Sequence, residues 1–358
     1  MAWLTGWDKR IKITADKDLI GSDLSHFPLT VMLSTSAGIG GVDVSCVFDE
    51  LTSDANSKKI AVTKADGETE LYVEIEKWDD ANEKAVLHCG ITGDTLKTAS
   101  DTVYYLYYDS GHADNDTYVG DTAGASPATN VWDSNFKAVW HLNNSLLDSS
   151  GDGRTLTNDG TDDVDGKMAR GKDFVKANTD FLTASDTGLP AVDTARTISF
   201  WVNPDIKDSY QYTVTYGTAS SNQWFAIQLG IYSQAKYLRV VAFNNDFNSS
   251  VQYSTGTWQL ITATYDVTTV RMYNNITTDS TTLSDYNTIL RGSTGVTIGK
   301  YYNGADYLDA VMDEIRISSV ARSADWVKAD YNSGNDSLLT YGSELIQGEN
   351  ATFFGSNF

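Results

Sequence analysis

Along the first hundred residues apolar and polar positions alternate with a period of two, the pattern of strands that bury one face. KRIKIT, FPLTVML, ELYVEIEKWD and VYYLYYD carry it most clearly. The alternation predicts strands over 10–14, 28–33, 42–48, 60–63, 70–75, 85–89 and 102–108, separated by turns such as Ala65-Asp66-Gly67-Glu68. Seven such strands fit a small sandwich. From 109 to 130 the pattern lapses into small polar residues, SGHADNDTYVGDTAGASPATN, which read as a linker. Short strands resume at 137–142 and recur at 180–183, 196–202, 212–216, 224–229, 237–243, 258–265, 270–274, 296–299 and 308–318. Such a run without intervening helices predicts a second, larger sandwich. One helix is expected over 323–332 as a prop on the β surface: Ser323 can cap it, Trp326 and Ala329 or Asp330 share a face, and Gly334 stops it. The expected organisation is all-β, two β-sandwich domains in series: 1–120, a linker at 121–135, the larger sandwich at 136–342, and a tail at 343–358. The tail, SELIQGENATFFGSNF, shows no strand partner pattern and is expected to be a loose or docking peptide.

Composition sharpens this picture. The chain has 28 Gly but 4 Pro, with 20 Tyr and 9 Trp, which suits short strands joined by polar turns. Acidic residues exceed basic ones by 48 − 26 = 22, a charge that repels phosphate backbones and anionic lipid surfaces, so neither nucleic acid nor membrane is an expected partner. Charged residues at 21% and hydrophobic ones at 41% are ordinary for folded domains. No apolar run approaches ~18 residues, and MAWLTGWDKRIKIT lacks a basic segment followed by an apolar one, so no export signal is expected. Cys46 and Cys89 lie in the strand-like VSCVFDE and AVLHCGI. A bridge and two buried free thiols are both compatible with that placement.

Six further pieces stand in order over 136–342: AVWHLNNSLLDSSGDG, VDGKMARGKDFV, RTISFWVNP, TWQLITATYD with VRMYNN, VTIGKYY, and YLDAVMDEIRISSVARSADWVKADY. Together they resemble the LamG-like jellyroll group of the concanavalin A-like lectin/glucanase superfamily. The first region resembles a small β-sandwich domain of unknown function often found immediately before such jellyrolls. The resemblance implies architecture and supplies no catalytic residues.

Within YLDAVMDEIRI, strand period places Asp309, Val311, Asp313, Ile315 and Ile317 on one face, so Asp313 is expected to be buried and to need amides, a cation or a metal. The resemblance implies a structural Ca²⁺ shared by Asp313 and Asp148 of LLDSSGDG, with backbone amides as the alternative partners. Asp162, Asp163 and Asp165 read as a solvated turn. The Glu-x-Asp-x-x-Glu string of the superfamily's glucanases is absent from the second region. Its nearest approximation, Glu74-Ile75-Glu76 with Asp79, alternates onto the expected solvent face with Tyr72. His26, His88, His112 and His141 are scattered, with no metal-ligand spacing, and no phosphate-cradling or nucleophile motif occurs.

Surface aromatics remain: rings that stack on sugar faces, with amides nearby for hydroxyls. Tyr210, Trp224, Tyr232, Tyr301, Tyr302 and Asn303 are the expected ligand contacts. The expected function is non-catalytic recognition of a glycan or cell-surface receptor, in a virion surface component of a tailed phage, decorating the head or serving the tail. Capsid or tail proteins would dock on the C-terminal tail. A module of an exported bacterial or archaeal surface protein and a glycan hydrolase are the alternatives.

Overall fold

In the strand Lys9–Ala15, Ile11, Ile13 and Ala15 are fully buried, and the pattern repeats at Leu29, Val31 and Leu33 in Leu29–Leu33 and at Leu71, Val73 and Ile75 in Glu70–Asp79. These side chains make one core. The computed structural model describes residues 2–122, 124–208, 210–231 and 234–348. The sheet around this core orders its strands as Leu339–Ile346, Lys9–Ala15, Thr102–Tyr108, Ile60–Lys64, Glu70–Asp79, Lys84–Gly90 and Leu29–Leu33, with Val119–Asp121 parallel to Glu70–Asp79. It doubles over on itself: the Tyr341 hydroxyl in one edge strand donates to the Met32 carbonyl in the other at 2.8 Å.

Three departures from the sequence reading shape this first body. The 42–48 strand is instead the helix Cys46–Leu51, because Val47, Phe48 and Leu51 recur at helical spacing and bury together. The residues expected as a linker are integrated: Val131 and Trp132 lie in the first core. The expected tail begins inside a strand, since Leu339–Ile346 runs antiparallel to Lys9–Ala15 with Ala15 opposite Leu339 and Lys9 opposite Ile346. The aromatic residues at 353, 354 and 358 lie outside the described residues.

The second body is a jellyroll of two facing sheets. One orders Asp162–Asp165, Arg170–Phe174, Ala310–Ser318, Arg196–Pro204, Gln259–Tyr265, Thr269–Asn274 and Thr277–Thr282, with Phe136–Trp140 also on Ala310–Ser318. The other orders Thr157–Asp159, Phe181–Ala184, Val296–Ile298, Gln211–Gly217, Trp224–Ile231, Gln234–Val241 and Phe247–Gln252. Trp140, Phe200, Ile227, Ile261 and Ile298 fill the space between them.

From the jellyroll the chain returns to the first body. Ser323 caps the helix Ala324–Gly334 by accepting from the Trp326 amide at 3.2 Å. The sequence places this helix on the surface, but Trp326 and Ala329 enter the first core and Trp326 meets Phe27 edge-to-face at 5.0 Å. It is a structural tie between the bodies. Cys46 and Cys89 are unbridged, the former half-buried and the latter buried.

Candidate functional site

Glu74 and Glu76 alternate with Val73 and Ile75 as the sequence requires, but their face is not the solvent face: they are 0% and 7% exposed. The jellyroll covers them. Facing them from Ala310–Ser318 are Glu314 and Arg316, and the reason is a bulge. Glu314 has a φ of +53°, and the register with Arg196–Pro204 shifts between Ser199 and Trp201. Leu308, Ala310 and Met312 therefore bury in the jellyroll core before the bulge, and Ile315 and Ile317 after it. The expected common face of Asp309 through Ile317 is broken, and Glu314 and Arg316 are presented to the first body.

Two histidines complete the seam. His88 in Lys84–Gly90 and His141 just after Phe136–Trp140, scattered in sequence, stack with ring centroids 4.8 Å apart. His88 Nε2 lies 2.7 Å from Glu76 Oε2 and its Nδ1 3.3 Å from the Thr30 hydroxyl. His141 Nδ1 hydrogen-bonds Glu314, and its Nε2 lies 3.4 Å from Glu74 Oε2. Arg316 pairs with Glu314 and, at 2.7 Å, with Asp330 of the helix. Glu74 accepts from the Trp132 indole at 2.7 Å and from the Ser149 hydroxyl. The clue missed in the sequence is a histidine inside the apolar run AVLHCGI: a buried polar group needs a partner.

Burial dominates the protonation of this seam. It lifts the Glu76 carboxyl well above its ordinary range, assisted by the nearby Glu314 charge. It lowers His88 to about 3. For His141 burial opposes the charge, but the Glu314 and Glu74 carboxylates outweigh it and hold the ring protonated. Burial likewise works against ionised Glu314, which His141 and Arg316 nonetheless keep charged.

The two carboxylates expected to share calcium are held apart from this cluster by backbone amides. Asp148 Oδ1 accepts from Val139 and Ser150, both at 2.9 Å, and Oδ2 from Arg154 at 3.0 Å. Asp313 Oδ2 accepts from Lys167 and Met168 at 2.7 and 3.0 Å, while its Oδ1 has no partner. Asp162, Asp163 and Asp165, read as a turn, instead lie in the edge strand Asp162–Asp165, where Asp163 pairs with Lys172 at 2.7 Å and Asp165 with Arg170 at 3.2 Å.

The expected ligand residues converge better. On the outer face of the sheet containing Trp224–Ile231, Tyr212, Trp224, Ala226 and Val241 form an apolar cluster separate from the core, with Tyr210, Phe243 and Tyr301 packed on it. Trp224 is fully buried beneath Phe243 at 5.1 Å, Tyr301 at 5.4 Å and Tyr302 at 6.0 Å. It is therefore a support and not a direct contact. Tyr210 and Tyr301 are half-buried, Tyr302 is 40% exposed and Asn303 is exposed. Tyr232 lies outside the described residues. Beside the cluster, Asn222, Asn244, Asn245, Ser284 and Asp285 line an open groove of about 300 Å³.

No curated protein matches the chain. Among solved structures it is similar to domain 4 of AbnA, a GH43 extracellular arabinanase from Geobacillus stearothermophilus, in complex with arabinotriose, at 18% identity and a TM-score of 0.46, covering 55% of this chain and 97% of that one. It is also similar to the binding domain of Paraclostridial Mosquitocidal Protein 1 at 18% identity and a TM-score of 0.45, covering 56% and 52%. The binding domain of Botulinum Neurotoxin DC in complex with SialylT matches at 15% identity and a TM-score of 0.44, covering 56% and 52%. The matched part thus spans about half the length of the two toxin domains. Residues 176–328, within the two-sheet jellyroll of the second body, match the family described as the concanavalin A-like lectin/glucanases superfamily.

Proposed function

We propose that the chain is a non-catalytic recognition protein whose jellyroll binds a glycan, or a glycosylated receptor, on the face around Tyr301 and Tyr302. The observation that carries this reading is the aromatic cluster on the outer sheet face, where residues some ninety positions apart in sequence support one exposed tyrosine beside a groove of amides. Ring faces for sugar C–H groups next to Asn side chains for hydroxyls are the two chemistries such a ligand needs. A hydrolase is disfavoured by the fate of Glu74 and Glu76: at 0% and 7% exposure they face the other body and no polysaccharide can thread between them. Calcium is left out of the reading, because three backbone amides already occupy Asp148.

The setting we favour is the surface of a tailed-phage particle, with a module of an exported surface protein as the competing one. Any docking peptide must lie beyond 348, because 339–346 is committed to the first sheet. Copurification with assembled particles separates these settings.

Glycan arrays and whole-cell adsorption test the binding face. Tyr302→Ala, at an exposed position, should cut binding roughly tenfold, about 1.4 kcal/mol, with an unchanged melting temperature. Binding that survives both Tyr302→Ala and Tyr301→Ala would place the ligand elsewhere, and polysaccharide turnover by the pure chain would overturn the reading.

A further inference from the structure

Among the described residues, Glu76, His88, His141 and Glu314 are the side chains whose ligand atoms gather as a metal site would require: one from each lies within 4.8 Å of all the others. Two come from the first body and two from the jellyroll. A zinc ion, with bonds of about 2.0–2.1 Å to imidazole nitrogen and carboxylate oxygen, sets tetrahedral ligand atoms roughly 3.3 Å apart. The separations here straddle that value, from the direct His141 Nδ1–Glu314 contact and 2.7 Å for His88 Nε2 to Glu76 Oε2, through 3.7 Å for His141 Nδ1 to Glu76 Oε2, within an overall spread of 4.8 Å.

Two further observations point to a cation. Glu76 Oε1, the neighbour of the Oε2 used in these distances, is buried with no hydrogen-bond partner, a costly state that a metal held by both oxygens of the carboxyl group would relieve. Two of the four side chains also have an outer partner of the sort that orients metal ligands. The Thr30 hydroxyl lies at His88 Nδ1 and Arg316 holds the second oxygen of Glu314, while His141 Nε2 lies 3.4 Å from Glu74 Oε2 without a hydrogen bond.

We propose that Glu76, His88, His141 and Glu314 form a closed structural site for a divalent transition ion of the zinc type, which fastens the jellyroll to the first body. Two imidazoles and two carboxylates suit such an ion, whereas calcium wants six to eight oxygens. The two carboxylates balance a doubly charged ion. With no ligand more than 7% exposed, the ion must enter as the two bodies close.

The test therefore refolds the full chain. Protein unfolded in denaturant with chelator is refolded with Zn²⁺, with Co²⁺ or with chelator retained, then desalted. One zinc per chain by mass spectrometry, the intense visible bands of tetrahedral Co²⁺, and a higher melting temperature for the zinc form are expected. Thr30→Val, which leaves all four ligands in place, should weaken zinc binding about 10–100-fold while the chain still folds. Less than about 0.1 zinc per refolded wild-type chain would overturn the site, against a binding free energy of roughly 10–16 kcal/mol for structural zinc. So would octahedral Co²⁺ spectra, or zinc retained equally by Glu76→Gln and His88→Gln chains that fold.

Discussion

At the residue scale, Glu50 shows how this acidic protein uses its few cations. Its carboxylate pairs with Lys9 at 2.9 Å and accepts from the Ser110 amide at 3.0 Å. Burial pushes its carboxyl up, but the bonds from Ser110 and Lys9 outweigh that and bring the pKa down to about 2, from an ordinary 4.5. A folded pKa below the unfolded one means that the contribution is complete above 4.5 and is lost as pH falls toward 2. Urea midpoints should therefore put Glu50→Gln below wild type at about pH 6, with the gap closing through that acid window. A gap that stays constant would remove Glu50 as its source. Which face Glu74 and Glu76 share was legible from alternation. What covers that face was not, because the cover arrives from residues 141, 314 and 316 through a bulge that strand period alone does not announce.

At the scale of elements, the sequence showed most strands with a buried face, though not Phe247–Gln252 or Arg170–Phe174, and missed those with both faces wet. Thr157–Asp159, Asp162–Asp165 and Thr277–Thr282 are largely exposed sheet edges with no apolar alternation to find. The strand Leu339–Ile346 was missed for a related reason. Only Leu339 and Tyr341 are buried, and its identity comes from Lys9–Ala15 more than three hundred residues earlier. A chain ending at 348 keeps every described strand and serves as the reference. One ending at 338 bares the edge of Lys9–Ala15 and removes Leu339 and Tyr341 from the core, so it should lose several degrees or aggregate. Equal melting curves for the two would show that the last strand does not stabilise the sheet.

At the scale of the whole molecule, the two bodies share a polar joint instead of hanging from a flexible linker. Its central cation is Arg316, which meets Glu314 on its own strand and Asp330 on the returning helix while lying over Trp132 at 5.0 Å. Arg316→Met removes the charge but keeps much of the volume, leaving buried acidic groups short of a partner. The expected cost is about 3–5 kcal/mol, read from denaturant midpoints at unchanged slope. Recovery of that loss in Arg316→Met with Asp330→Asn would identify uncompensated charge as its cause.

The pairing of Lys9 with Ile346 has a mechanical corollary. A load drawn between these two points would act across the ladder from one end, opening its hydrogen bonds in succession. The jellyroll, inserted between the paired strands, lies off the line of force until they part. Tugging from that side would release the first body's edge while the aromatic face of the jellyroll kept its shape.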